Sequence, residues 1–274
     1  DISVTRTTDA SGKWLATLPL TELDATTTMI GDATIALLAG KRSLEVLKVG
    51  ETAVSDQSIP VIAGLPLREL ALEDAKVHGR NLAPIGNIKS LEVLSLAGLD
   101  VDDANLAAFA HLDRLRQLNL ARTRVRGPGL TELATLGHLR SLNLDRDHLN
   151  KGALTTLSPL ALSELSLVSA DLDRTSVAAL GQLKTLTSLI LDGTAADDAG
   201  VASLSTLSRL SALSLQATRI DDGAISALAH LKLGHVDLRR TAITRSGARR
   251  LQRLLGCEVA WGGPPRRAGE VWDP

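Results

Sequence analysis

The 274-residue chain has no tyrosine, one phenylalanine and three tryptophans, so its core must be built almost wholly from Leu, Ile, Val and Ala. Mixed layers leave unequal gaps that large rings usually fill, whereas a structure that repeats one layer can reuse one aliphatic shape. Scarcity of aromatics therefore points to repetition. A single cysteine, Cys257, excludes an intramolecular disulfide and leaves the redox compartment open. Charge of either sign is not in excess: 30 Lys and Arg face 31 Asp and Glu, which provides no global field for nucleic acid or an anionic membrane. No apolar run approaches the roughly 20 residues needed to span a bilayer. The chain starts at Asp1 rather than Met, so an upstream signal or domain is expected to have been removed, compatible with a soluble, secreted or surface-exposed protein.

What is present is a period. Similar segments begin at Leu20, Leu44, Leu67, Leu91, Leu115, Leu139, Leu162, Leu186, Leu210 and Leu233, always 23 or 24 residues apart. The shared pattern is LxxLxLxxTx(I/V)xDxG(L/I)xxLxxLxx. Its LxxLxL part alternates apolar and polar residues, as a short strand with one buried face does. Leu118 and Leu120 should point in, and Gln117 and Asn119 out. Farther along, apolar residues recur at every third position, as in Leu130, Leu133 and Leu136, which places them on one helical face. One such strand-turn-helix unit cannot bury its apolar stripe alone, so units must stack, with strands in a parallel sheet and helices opposite. Strands sit about 4.8 Å apart and helices are about 10 Å wide, so the expected stack curves with the strands on its concave side.

The repeats resemble the leucine-rich-repeat family, in the bacterial-looking variant whose turn reads T-x-I-x-D-x-G-L. The resemblance runs from about Leu20 to Cys257. It implies an α/β solenoid, a horseshoe with a concave parallel sheet and convex helices, and a role in binding proteins, peptides, glycans or lipids. Three segments are expected: a cap or worn first repeat over 1–19, ten repeats over 20–258, and a cap or tail over 259–274. The sequence departs from the commoner family form after the strand, where Thr28, Thr52, Thr123, Thr194, Thr218 and Thr241 stand in place of Asn or Cys. A Thr hydroxyl there can donate to a carbonyl and accept an amide proton, a structural task.

Carboxylate columns invite a calcium reading. However, Asp32, Asp56, Asp103, Asp198 and Asp222 each immediately precede the helical pattern, where capping is expected instead. His111, His138 and His230 share the helix-end region, but only the first two fall in adjacent repeats, too few for a closed zinc site. No phosphate-cradling loop and no nucleophile motif occurs, so neither catalysis nor a cofactor is expected. An enzyme on a parallel β-helix is the alternative, disfavoured because β-helix coils use strands where this chain spaces leucines by three. Arg239, Arg240, Arg245, Arg249, Arg250, Arg253, Arg266 and Arg267 crowd the end of the chain. They fall on different faces with no aromatic platform, so a solvated cap helix, or one docking an acidic domain, is expected rather than a nucleic-acid site.

The outward strand positions vary from repeat to repeat while the inward leucines hardly change, as a binding surface requires. The middle of that face is the expected site for a protein or peptide partner: Gln117, Asn119, Arg122, Asn143, Asp145 and Arg146. Stacking should set Asn119 beside Asn143 and Arg122 beside Arg146, offering two amides and two guanidinium groups to one carboxylate or polar backbone, unless Asp145 or Asp147 neutralises Arg146.

Overall fold

The computed structural model describes residues 1–263, so Arg266, Arg267 and most of the 259–274 tail lie outside the described residues. The chain divides into two compact units, Asp1–Asp147 and the part beginning at His148.

In the first unit, six three-residue strands follow one another in register. They are β1 (Glu22–Asp24), β2 (Val46–Lys48), β3 (Glu69–Ala71), β4 (Val93–Ser95), β5 (Gln117–Asn119) and β6 (Ser141–Asn143). Each pairs in parallel with the next, so that Leu23, Leu47, Leu70, Leu94, Leu118 and Leu142 stand in one column. All six are at most 2% exposed, as the alternation of the pattern requires. The second unit repeats the scheme with β7 (Glu164–Ser166), β8 (Ser188–Ile190), β9 (Ala212–Ser214), β10 (His235–Asp237) and β11 (Glu258–Ala260). Ten strands were expected; an eleventh, β11, follows Cys257, which is itself half-buried.

The opposite side is less helical than the leucine spacing suggests. Short α-helices occur at α1 (Gly12–Thr17), α2 (Asp32–Ala36) and α3 (Ile59–Ala63) in the first unit. The second has α4 (Arg174–Leu180), α5 (Asp198–Ser203), α6 (Ile225–Leu228) and α7 (Arg245–Leu255). Between α3 and α4 the chain uses 3-10 turns, including Asp103–Phe109 and Pro128–Thr135. A 3-10 helix has three residues per turn, so apolar residues at every third position align along one edge, and Leu130, Leu133 and Leu136 are all buried. A spacing of strictly three fits that form better than the 3.6 of an α-helix.

The threonine column works as expected at five of its six positions; Thr123 is half-buried and its hydroxyl donates to Asp147 instead, at 3.3 Å. Thr28, Thr52, Thr194, Thr218 and Thr241 are buried, and each hydroxyl donates to the carbonyl three residues back at 2.6–2.7 Å. Before β1, the Ile2 and Val4 amides donate to Asp24 O and Thr26 O, just as the Ala25 amide donates to Lys48 O.

Candidate functional site

On the outward side of β2–β6 lies an open hollow of about 440 Å³. Its walls carry Lys48, Glu51, Glu69, Glu73, Val93, Ser95, Gln117, Asn119, Ser141 and Asn143. Three of the six residues expected to bind a partner, Gln117, Asn119 and Asn143, thus share one hollow. Arg122, Asp145 and Arg146 do not line it.

The strands supply these side chains at alternate positions, and the asparagines also have a local task. Asn119 Oδ1 accepts the Ala121 amide at 3.1 Å, and Asn143 Oδ1 accepts the Asp145 amide at 2.8 Å. Each oxygen closes the turn out of its strand, as an Asx turn does. The amide nitrogens are left as donors; that of Asn119 meets Ser95 Oγ at 3.1 Å. Lys48 Nζ lies 2.8 Å from Glu69, whose carboxylate raises the ammonium pKa above its ordinary value. Glu51 and Glu73 have no cation within ion-pair distance among the described residues, so the hollow combines amide donors with an excess of carboxylate.

Arg122 departs from expectation. Its guanidinium turns away from the Arg146 column and grips Asp74 two repeats earlier, at 2.6 and 3.2 Å. What makes that reach possible is Gly98, the residue between them in the same column. It has φ +73, and a Cβ there would collide with the Asp74 carboxylate. The whole column is left-handed: Thr27, Glu51, Asp74, Arg122, Arg146, Ser169, Ala217 and Arg240 all have positive φ. Their amides continue the ladder past the strand, Arg122 N donating to Asp145 O at 2.8 Å. Among the described residues no carboxylate pairs with Arg146, neither Asp145 nor Asp147. Asp147 is fully buried and accepts the Thr123 amide at 2.8 Å.

The aspartates before the helices also act differently from expectation. Each stands at the first helical residue rather than at the cap, and its carboxylate reaches forward into the next repeat. Asp32 accepts from Ser55 N, Asp56 from His78 N, Asp198 from Asp221 N and Asp222 from Thr244 N, at 2.7–3.0 Å. The helix's own amides are capped by the preceding residue where that is Asp102, Asp197 or Asp221. Carboxylates so engaged are structural, and among the described residues no group of three or more His, Cys, Asp or Glu is placed to hold a metal ion.

Strand, left-handed turn and short helical segment recur with one register through each unit. This is a leucine-rich-repeat fold. Solved leucine-rich-repeat structures agree: an internalin from Listeria monocytogenes matches 90% of this chain and 75% of its own, with a TM-score of 0.62 and 20% identity. A leucine-rich-repeat protein from Leptospira interrogans matches 90% of this chain and 68% of its own, with a TM-score of 0.60 and 20% identity. No protein-family profile and no curated protein sequence matches the chain. At that identity the likeness describes the fold, which many unrelated functions share. No helix among the described residues of this leucine-rich-repeat fold is long and apolar enough to cross a membrane.

Proposed function

We propose that the chain is a non-catalytic interaction module that takes a polar segment of a protein or peptide partner in the hollow over β2–β6. The observation that carries this reading is the contrast within the first unit: the buried column is Leu in each of β1–β6, while the outward groups change type from Lys48 to Glu69, Gln117 and Asn143. A surface kept only for solubility has no need to gather these groups around one hollow. With Glu51 and Glu73 outside any ion pair among the described residues and amide groups on the same face, the complementary segment carries a basic side chain and free backbone carbonyls. Arg146, in the turn after β6 and without an ion pair among the described residues, offers an additional contact for a carboxylate. None of the lining residues is aromatic, which disfavours a glycan, since sugar rings dock best on flat apolar faces.

The test is capture from the native host followed by identification of what is bound. Parent, an E51A/E73A/Q117A variant and an R122A/R146A variant serve as baits. Loss of capture by the first with an unchanged melting temperature supports the hollow. Loss only with the second moves the site to the rim; full capture by both folded variants overturns the proposal.

A further inference from the structure

The last helix of the second unit carries a feature that the hollow does not use. α7 contains Arg245, Arg249, Arg250 and Arg253 and no acidic residue. All four arginines are exposed, and among the described residues none of their side chains makes a hydrogen bond or ion pair. Gly247, Ala248 and Leu251 turn the opposite side of the helix into the core, so the arginines share one outward face. Arg245, Arg249 and Arg253 are four residues apart, a row with steps of about 6 Å. Like charges at that spacing destabilise a helix, and Arg245 in the first turn also opposes the helix dipole. Some cations of the chain do find carboxylates, as Arg174 does with Asp197 at 3.0 Å and Arg239 with Asp237 at 2.5 Å, but four unpaired arginines on one short helix are a concentration of charge. An uncompensated row of this kind is a local conflict of the sort that marks a functional surface.

Two neighbours indicate the partner's chemistry. Leu254, 54% exposed, stands one turn beyond Arg250 at the edge of the arginine face. Arg249 and Arg253, with Gln252, Cys257 and Glu258, also border an open hollow of about 810 Å³. We infer that the outward face of α7 docks an acidic amphipathic helix of another protein, its glutamates spaced four apart against the arginine row and an apolar side chain over Leu254. Glutamates at i and i+4 repeat with the same step of about 6 Å, so each carboxylate meets one guanidinium in charge-assisted hydrogen bonds. A nucleic-acid backbone would meet the same charges but gains nothing from an exposed leucine and finds no aromatic platform on this helix among the described residues.

The test uses the full chain and a fluorescent synthetic helical peptide of about 18 residues with Glu at four-residue spacing and Leu on the adjoining stripe. A second peptide has the same composition with the spacing scrambled. Anisotropy titrations should show the in-register peptide binding about tenfold more tightly than the scrambled one. R249Q/R253Q should lose that binding while melting at or above the parent's temperature, because repulsion is relieved, and L254S should weaken it about threefold. Equal binding of both peptides overturns the inference. So does a lower melting temperature of R249Q/R253Q, which would assign the arginines to the fold. A duplex oligonucleotide or phosphatidylserine vesicle bound more tightly than the peptide, and unaffected by L254S, overturns it in favour of a polyanion.

Discussion

Asp103 Oδ1 accepts the amide of Gly129 at 2.8 Å, twenty-six residues farther along the chain and one repeat up the stack. The same carboxylate also accepts from Gly127 N at 3.0 Å and Arg126 N at 3.1 Å. One side chain thereby satisfies the orphan donors at the start of a helical turn to which it does not itself belong. Equivalent links from Asp9, Asp32, Asp198 and Asp222 tie successive repeats together within each unit. A solenoid's stability depends on such nearest-neighbour terms.

Replacing Asp103 with Ala should accordingly cost about 2 kcal/mol, at the upper end of a helix cap, because three amides lose a charged acceptor. Urea unfolding measures it. The loss should appear equally with and without EDTA; a parent protein destabilised by EDTA to the same extent would identify a bound cation instead.

Leu142 lies at the centre of β6, 1% exposed, in the column shared with Leu118. Leu142→Ala should cost about 2–5 kcal/mol through transfer and cavity terms. Leu142→Asp should cost more, because a carboxylate would be left unpaired among aliphatic side chains. An aspartate variant that melts like the parent would contradict the placement of this strand.

Acid should weaken the inter-repeat links in a predictable window. Burial tends to raise the Asp32 pKa, but the Ser55 and Ser58 hydroxyls and the Ser55 amide outweigh it and hold the carboxyl below its ordinary 3.8. A depressed native pKa means that the stabilisation is complete above the unfolded value and disappears as pH falls through the lower, native one. The stability difference between parent and D32N should thus be constant near neutrality and shrink below about pH 4. Asp198 has the opposite sign: burial and the nearby Asp221 and Asp197 carboxylates raise its pKa. As pH falls from neutral, the folded protein binds that proton before the unfolded chain does, so the parent gains stability relative to D198N. At pH 7, D198N should be at least as stable as the parent, since an amide oxygen still accepts the Asp221 amide, whereas D198A should lose about 1 kcal/mol. Urea midpoints across pH 2–7 check all three.

The periodic leucines made the repeat, its parallel strands and its buried column readable from the sequence, because a side chain's inward or outward direction in a strand follows from counting by two. Thr28 and its equivalents were readable for a similar reason, since a hydroxyl at a chain turn bonds to its own neighbourhood. The arginine crowding on α7 was equally visible. What the tertiary structure decided is where long polar side chains go. Arg122 could have stood beside Arg146, yet it reaches across Gly98 to Asp74, and that choice depends on a left-handed backbone and on the missing side chain of a residue one repeat away. Asp103 reads locally as a cap for its own helix, but its carboxylate serves the next repeat. The direction of a leucine is imposed by its own backbone, whereas the partner of a carboxylate or guanidinium is set by what the stack brings within about 3 Å of it, which no single repeat contains.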